Sequence, residues 1–280
     1  MKKTIGIIGF GNMGSAIAFQ LSQNEFKVYC FDKDSSKINN SEGVEFTGSI
    51  AGIIDKCEII ILAVKPQDFS ACLEEIKPCR HLQDKLFISI AAGVSTSFIE
   101  KILGVVRIVR AMPNMPLKIN RSMTCLAKGK YAAEEDFDIS EDLFEYLGEV
   151  LELDESMMNQ ATAISGSGPG WYFDAIETRS GEYGREHERF VKQFIIDLKE
   201  AAKAVGFSDS EAATLSATTI MGSDALIKSY GKSGAAAALK KLVASRGGTT
   251  EAGLEVLHNN GSLTDAAKAA VKRAEELSKE

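Results

Sequence analysis

Thr4-Ile5-Gly6-Ile7-Ile8-Gly9-Phe10-Gly11-Asn12-Met13-Gly14 is the stretch whose reading decides the fold. A β-rich run, Thr4–Ile8, enters a turn with glycines at G-x-G-x-x-G spacing, and a helical pattern follows to about Gln23. Strand, glycine turn and helix in that order give the spacing a mechanism. Gly9 permits the tight turn, Gly11 lets the backbone approach a pyrophosphate, and Gly14 lets the helix pack on the strand. The helix N-terminus then aims its free N–H groups at the phosphates. Phe10, Asn12 and Met13 complete the loop. The motif reads as a dinucleotide site, with a purely structural glycine turn as the alternative.

Working outward, strands and helices alternate. The second strand, Lys27–Phe31, ends at Asp32, where a carboxylate would accept a ribose 2′-hydroxyl and repel a 2′-phosphate. That favours NADH. Lys33, Ser35, Ser36 and Lys37 would instead bind a phosphate if Asp32 turned away, so NADPH stays open. Further strands are predicted at Val44–Phe46, Glu58–Val64, Leu86–Ile90, Val105–Val109, Met123–Ala127 and Val150–Leu153. The continuous apolar run Glu-Ile-Ile-Ile-Leu-Ala-Val over 58–64 suits a strand buried on both faces. Three of these strands stop at turns: Ala63-Val64-Lys65-Pro66, Ala92-Gly93 and Met112-Pro113-Asn114. Ligands bind at that carboxyl edge in open α/β sheets, so these turns form the predicted cofactor groove.

The totals narrow the class. A chain of 280 residues is long enough for two ordinary domains, and 45% apolar residues suffice for a core. The net charge of −7 argues against nucleic acid or an anionic membrane as partner. The five cysteines are odd in number and form no C-x-x-C pair. That suits core thiols in a reducing compartment, here the cytoplasm. Glycines interrupt the first apolar run, so neither a signal peptide nor a spanning helix is expected. None of the three histidines falls in a metal-ligand or nucleophile pattern.

From about Ser156 the strand signal disappears. Helical patterns run over Asp197–Val205, Ser208–Tyr230, Ala235–Val243, Glu251–Asn259 and Leu263–Lys279, and Ser208 with Glu211 forms a capping box. Small residues such as Ala212, Ala213, Ser216, Ala217 and Gly222 suit close helix contacts, either within a monomeric bundle or against a second subunit. The expected fold is therefore α/β: an N-terminal Rossmann-type dinucleotide-binding domain (1–155) followed by an all-helical dimerisation and substrate domain (156–280). Two turns stand out in the second half, Ile164-Ser165-Gly166-Ser167-Gly168-Pro169-Gly170 and Arg246-Gly247-Gly248-Thr249-Thr250. The first reads as a break in a helix and the second as a helix start. The polar run Glu177–Arg189 reads as a solvated loop or exposed helical extension, with His187, His81 and His258 isolated.

Gly9–Gly14, Ala63-Val64-Lys65-Pro66-Gln67, Arg110-Ala111-Met112-Pro113-Asn114, Ala161–Pro169 and Gly247-Gly248-Thr249-Thr250 occur in this order. On these motifs the chain resembles the pyrroline-5-carboxylate reductases, which complete proline biosynthesis, over nearly its whole length. The resemblance implies a Rossmann domain, a helical domain interlocked into a homodimer, and often a ring of such dimers. It implies NADPH- or NADH-dependent reduction of L-1-pyrroline-5-carboxylate to L-proline. An iminium carbon is already electrophilic, so the chemistry needs positioning and one proton rather than a strong base. By resemblance, Thr250 touches the imine nitrogen, and Ser165, Ser167 and their neighbours to Pro169 close the substrate pocket. The Gly247 and Gly248 N–H groups, the Thr249 and Thr250 hydroxyls and the helix end at Glu251 would hold the carboxylate. Met112, Pro113 and Asn114 would line the groove near the nicotinamide, with Lys65 beside it.

Three departures stand against the family pattern: Ser245-Arg246 where Ser-Pro is usual, Lys240-Lys241-Leu242 just before it, and the polar Glu177–Arg189 run, which looks like an insertion. Two other readings use the same glycine turn. One is a β-hydroxyacid dehydrogenase, whose interdomain lysine has no counterpart near Ser165–Pro169. The other is a nucleotide-binding protein without turnover.

Overall fold

The computed structural model describes residues 3–24, 26–37, 43–179, 185–231 and 234–278. The strands are β1 (Thr4–Ile8), β2 (Lys27–Phe31), β3 (Val44–Phe46), β4 (Ile59–Leu62), β5 (Leu86–Ser89), β6 (Arg107–Met112), β7 (Ser122–Lys128) and β8 (Gly148–Glu152). They form one sheet in the order β3-β2-β1-β4-β5-β6-β7-β8. The pairs β1–β2, β2–β3, β1–β4, β4–β5 and β5–β6 are parallel. After β3 the chain crosses to the far side of β1, so strand order reverses between β1 and β4. That switch point opens a crevice at the strand ends.

Helices α1 (Asn12–Ser22), α2 (Ile50–Lys56), α3 (Pro66–Ile76), α4 (Thr96–Leu103) and α5 (Glu134–Glu145) connect the strands. Their starts follow local chemistry. Ser49 caps α2 by accepting the Gly52 N–H at 3.2 Å, and Ser95 caps α4 by accepting that of Phe98 at 3.1 Å. Pro66 opens α3, where its missing N–H belongs to a position with no intrahelical partner anyway. Ile60, Ile61 and Leu62 are fully buried, as a central parallel strand requires.

One strand differs from expectation. β6 runs on to Met112 rather than ending near Val109, with Ser89 and Arg110 in register. Arg110 looks like a turn residue in sequence, yet it is buried and its guanidinium lies 3.6 Å from Glu155. Burial lowers its pKa, partly offset by that carboxylate.

The chain divides into two compact units. The first is Met1–Met112 with Leu126–Glu155; the second is Pro113–Cys125 with Ser156–Glu280. A single cut at 155/156 therefore leaves out one segment, 113–125, which groups with the helices. Those helices are α6 (Met158–Ala161), α7 (Gly168–Glu177), α8 (Arg185–Ala204), α9 (Asp209–Tyr230), α10 (Ala235–Val243), α11 (Thr249–His258) and α12 (Leu263–Leu277). Among the described residues, no helix is long and apolar enough to cross a membrane.

Two expectations need correction here. Thr162–Gly166 is a π-helical turn between α6 and α7, so the Ser165–Pro169 stretch is a bulge within a helical run rather than a break. Of the polar run, Arg185–Arg189 belongs to α8, while 180–184 lie outside the described residues. His187 is not isolated: its Nε2 lies 2.7 Å from the buried Asp224 carboxylate, which also accepts the Tyr172 hydroxyl at 2.9 Å.

Gly222 on α9 explains how the 113–125 segment joins this unit. A Cβ there would lie 2.4 Å from the Arg121 carbonyl oxygen and 3.0 Å from Pro116. Gly222→Ala should therefore destabilise the protein by about 1–3 kcal/mol. Thermal unfolding would show a lowered Tm; an unchanged midpoint would mean that α9 does not seat on this segment.

Candidate active site

At the β1/β4 switch point a cavity of about 350 Å³ lies within the first unit, at the ends of β1, β2 and β4. Ile8, Gly9, Gly11, Asp32 and Ala63–Lys65 are among its lining residues. Gly9 has φ +103°, and a Cβ there would meet the Ala63 backbone at 2.7 Å. Only glycine sits there without strain. A Cβ on Gly14 would lie 2.0 Å from the Gly9 carbonyl oxygen, so this glycine brings α1 against the turn. Gly11 meets nothing within 4 Å and leaves its backbone open to a ligand. Asn12, Met13 and Gly14 form the first turn of α1, whose N–H groups are free of intrahelical partners.

Asp32 is fixed into this turn. Its carboxylate accepts the Phe10 N–H at 2.7 Å, the Asp34 N–H at 2.9 Å and Lys37 Nζ at 3.2 Å. Burial pushes its pKa up, but the bonds from Asp34 and Phe10 and the Lys37 cation outweigh this, and the net shift is downward. The Phe10 ring packs edge-on against Phe46 with centroids 5.1 Å apart. Lys33, the other cation nearby, pairs with Asp68 at 2.5 Å.

A larger cavity, about 530 Å³, is lined by Lys3, Phe26, Ile59, Ile139, Asp142, Leu143, Glu145 and Tyr146. Lys3 and Ile59 are at the amino ends of β1 and β4, away from the glycine turn. Size alone does not make it the site; the glycine geometry favours the smaller cavity.

In the second unit, Pro169 organises the other candidate residues. It has no N–H, so the Ser165 carbonyl loses the partner an α-helix would supply. Asn114 Nδ2 donates to that carbonyl at 3.2 Å. The same amide donates to Thr219 Oγ1 at 3.4 Å, while Asn114 Oδ1 accepts the Met123 N–H at 3.0 Å and Ser122 Oγ at 3.2 Å. An asparagine side chain has two donors and two acceptor positions, so this one is fully engaged. Asn114, expected near the nicotinamide, is 2% exposed and serves as a bracket within this unit.

Ser165 and Ser167 diverge. Ser165 Oγ donates to the Met123 carbonyl at 3.3 Å, and Ser167 Oγ lies 2.9 Å from Thr249 Oγ1. One helical turn on, Trp171 Nε1 donates to the Thr250 carbonyl at 3.2 Å. A Cβ on Gly170 would meet Thr250 Cγ2 at 2.4 Å, and one on Gly253 would meet the Trp171 indole at 2.5 Å. These two glycines let α7 and α11 approach closely.

The turn before α11 also differs in detail from expectation. Gly247, at φ +70°, donates its N–H to Glu251 Oε2 at 2.6 Å, and Gly248 donates to the Ser245 carbonyl at 3.0 Å. Both N–H groups are thus engaged within the turn. The N–H groups of Thr249, Thr250 and Glu251, in the first turn of α11, are left without intrahelical acceptors. The Thr250 side chain is almost buried, and its hydroxyl has no hydrogen-bond partner among the described residues. Arg246 is exposed.

Comparison with known proteins gives a consistent result. Residues 4–93 match the family described as NADP oxidoreductase coenzyme F420-dependent, and 189–280 match pyrroline-5-carboxylate reductase dimerisation. The chain is 32% identical to pyrroline-5-carboxylate reductase from Methanosarcina acetivorans, over 99% of this chain and 97% of that one. It is 30% identical to the Escherichia coli enzyme of that name over the full length of both. The chain belongs to the pyrroline-5-carboxylate reductase family. Among solved structures it is similar to pyrroline carboxylate reductase from Plasmodium falciparum with NADP bound (27% identity, TM-score 0.63, covering 99% and 98%). The Coxiella burnetii family member is equally similar (28% identity, TM-score 0.63, 99% of each chain).

Against the sequence expectations, Gly9, Gly11, Asp32, Ala63, Val64 and Lys65 line one cavity. Phe10, Asn12, Met13 and Gly14 shape the turn above it, and Pro66 starts α3. Ala92, Gly93 and Met112 follow or end β5 and β6 and do not line it. Pro113 falls in the second unit. Trp171 and Asp174 were missed as contacts of the Gly-Gly-Thr-Thr helix; their i, i+3 spacing on an apolar stretch signals only a core face.

Asn114→Ala would strand the Met123 N–H and the Ser165 carbonyl in the interior. A destabilisation of about 2–3 kcal/mol is expected, read by urea unfolding. Full stability with lost activity would instead favour a ligand-contacting Asn114.

Proposed function

We propose that the chain reduces L-1-pyrroline-5-carboxylate to L-proline with NADH or NADPH, and that Thr250 carries the substrate contact. The observation that supports this most is the first turn of α11. It joins three N–H donors unused by the helix, the hydroxyl of Thr249 and a nearly buried Thr250 whose hydroxyl has no partner among the described residues. Such a turn suits a small carboxylate beside a polar reacting atom. The macrodipole adds only about 0.3–1 kcal/mol, so direct hydrogen bonds do most of the holding.

The glycine turn and its cavity suit a dinucleotide: Gly9 and Gly14 have no room for a Cβ, and Asp32 lines the cavity where it would meet a ribose. A bound nicotinamide supplies the hydride for the C=N carbon. The chain's own part is to orient and protonate. The Thr249–Glu251 N–H groups hold the carboxylate, and the Thr250 hydroxyl hydrogen-bonds the ring nitrogen, which gains one proton as the C=N bond becomes a C–N single bond. The buried α7 surface beside Thr250, with Trp171 and Gly170, keeps water from the reacting face.

Domain and assembly follow the same reading. Residues 1–155 carry the cofactor, and 156–280, with the 113–125 segment, carry the substrate turn and the homodimer contact, with a ring of dimers as the higher assembly. The free thiols and a reduced-dinucleotide substrate suit the cytoplasm.

Asp32 supports NADH as the preferred cofactor, because its carboxylate is fixed in the turn and ionised. Asp32→Ser should raise the ratio of NADPH to NADH affinity by at least tenfold, about 1.4 kcal/mol, by freeing Lys37 for a 2′-phosphate. Titration of cofactor fluorescence measures it, and an unchanged ratio would remove Asp32 from cofactor choice.

A second pair of variants tests Thr250. Gly170→Ala pushes a methyl into Thr250 Cγ2, so the KM for the imine should rise about tenfold. Adding Thr250→Ser deletes that Cγ2 and should restore KM. Steady-state kinetics decide, and no rescue would detach Gly170 from the site. Wild-type protein that binds cofactor yet never reduces the imine would turn the reading toward a binding protein.

A further inference from the structure

Helices α7 and α11 run alongside one another in matched order. Ser167 meets Thr249, Trp171 meets Thr250 and Gly253, and Asp174 meets His258. The last contact brings a buried carboxylate to an imidazole. Asp174 Oδ2 lies 2.9 Å from His258 Nε2, at the carboxyl end of α11, and Oδ1 accepts Lys240 Nζ of α10 at 2.9 Å. Glu177 adds a second carboxylate to Lys240 at 2.5 Å. Each oxygen of one buried carboxylate therefore holds one of the two helices that flank the Ser245–Gly248 turn.

We propose that Asp174 is a positioning residue for the substrate turn, tying α10 and α11 to α7 so that Thr249 and Thr250 are held in register against Ser167, Gly170 and Trp171. The inference rests on the reductase reading above.

Burial, charge and helix geometry carry it. Asp174 is only 7% exposed, so leaving it unpaired would be costly, and the two partners are what make its burial possible. Burial pushes its pKa up, yet Lys240 and His258 bring it below the ordinary carboxylate value, so it stays ionised at neutral pH. The turn itself is short and glycine-rich, tied at Gly247 to Glu251 and Arg273, and the Asp174 contacts add a hold at the far end of α11. Lys240 is one of the departures from the family pattern, and its role here is structural: it faces Asp174 and Glu177.

The test uses full-length protein and the single tryptophan of the chain, Trp171, whose indole contacts α11 directly. Asp174→Asn keeps shape and one acceptor but removes the charge. The expected result is a KM for L-1-pyrroline-5-carboxylate raised about tenfold with kcat changed far less. Tryptophan emission should shift as α11 moves off the indole, and NADH affinity, measured by fluorescence titration, should be unchanged. His258→Gln and Lys240→Met should each raise KM less, and each should add little on the Asp174→Asn background. An unchanged KM in active protein overturns the inference, as does a parallel fall of imine binding, NADH binding and Tm, which would mark general destabilisation. Additive effects in the double variants would overturn it too. Wild-type protein that reduces no imine would instead fail the reductase reading, a separate result.

Discussion

The absent amide hydrogen of Pro169 is the constraint on which the second unit depends. A helix cannot pass through this residue with its ladder intact, so the chain takes a π turn over Thr162–Gly166 and leaves the Ser165 carbonyl unbonded. That carbonyl is buried, and burial without a partner is costly. Asn114, distant in sequence, satisfies it and in doing so binds the 113–125 segment to the helices. One missing donor thus joins the close seat of Gly222 on Arg121 and Pro116 in grouping this segment with the helices.

The bulge has a second consequence. It turns Ser167, Gly170, Trp171 and Asp174 onto one face, at helical spacing, and α11 packs along that face. The glycines at 170 and 253 remove the Cβ atoms that would hold the helices apart. The start of α11, with Thr249 and Thr250, is thereby held by contacts along the helix as well as by its own turn. Rigid support of this kind is what a reaction with little acid–base demand requires, since orientation supplies much of the rate.

The first unit works by different means. Its site follows from strand order and from two glycines that admit no side chain, and the Asp32 carboxylate is oriented by the Phe10 and Asp34 N–H groups and by Lys37. Strand ends, turn and helix start all lie within a short stretch, so their positions are set locally. This explains why most of the dinucleotide turn was legible from spacing, while Ala92, Gly93 and Met112 were assigned to the groove from their place after a strand and lie outside the cavity lining.

By itself the sequence determined the alternation of strand and helix, the glycine turn, the capping box of Ser208 and Glu211, and the candidate Thr249–Thr250 turn. Each depends on residues a few positions apart, through periodicity, φ preference or a capping hydroxyl. Tertiary structure alone decided that β6 continues through a buried Arg110, that Asn114 brackets the π turn, and that His187 and His258 have carboxylate partners. His258 and Asp174 are 84 residues apart, and Ser167 and Thr249 are 82 apart. Nothing local marks such pairs, because a buried polar group takes whichever partner the packing of helices brings within reach.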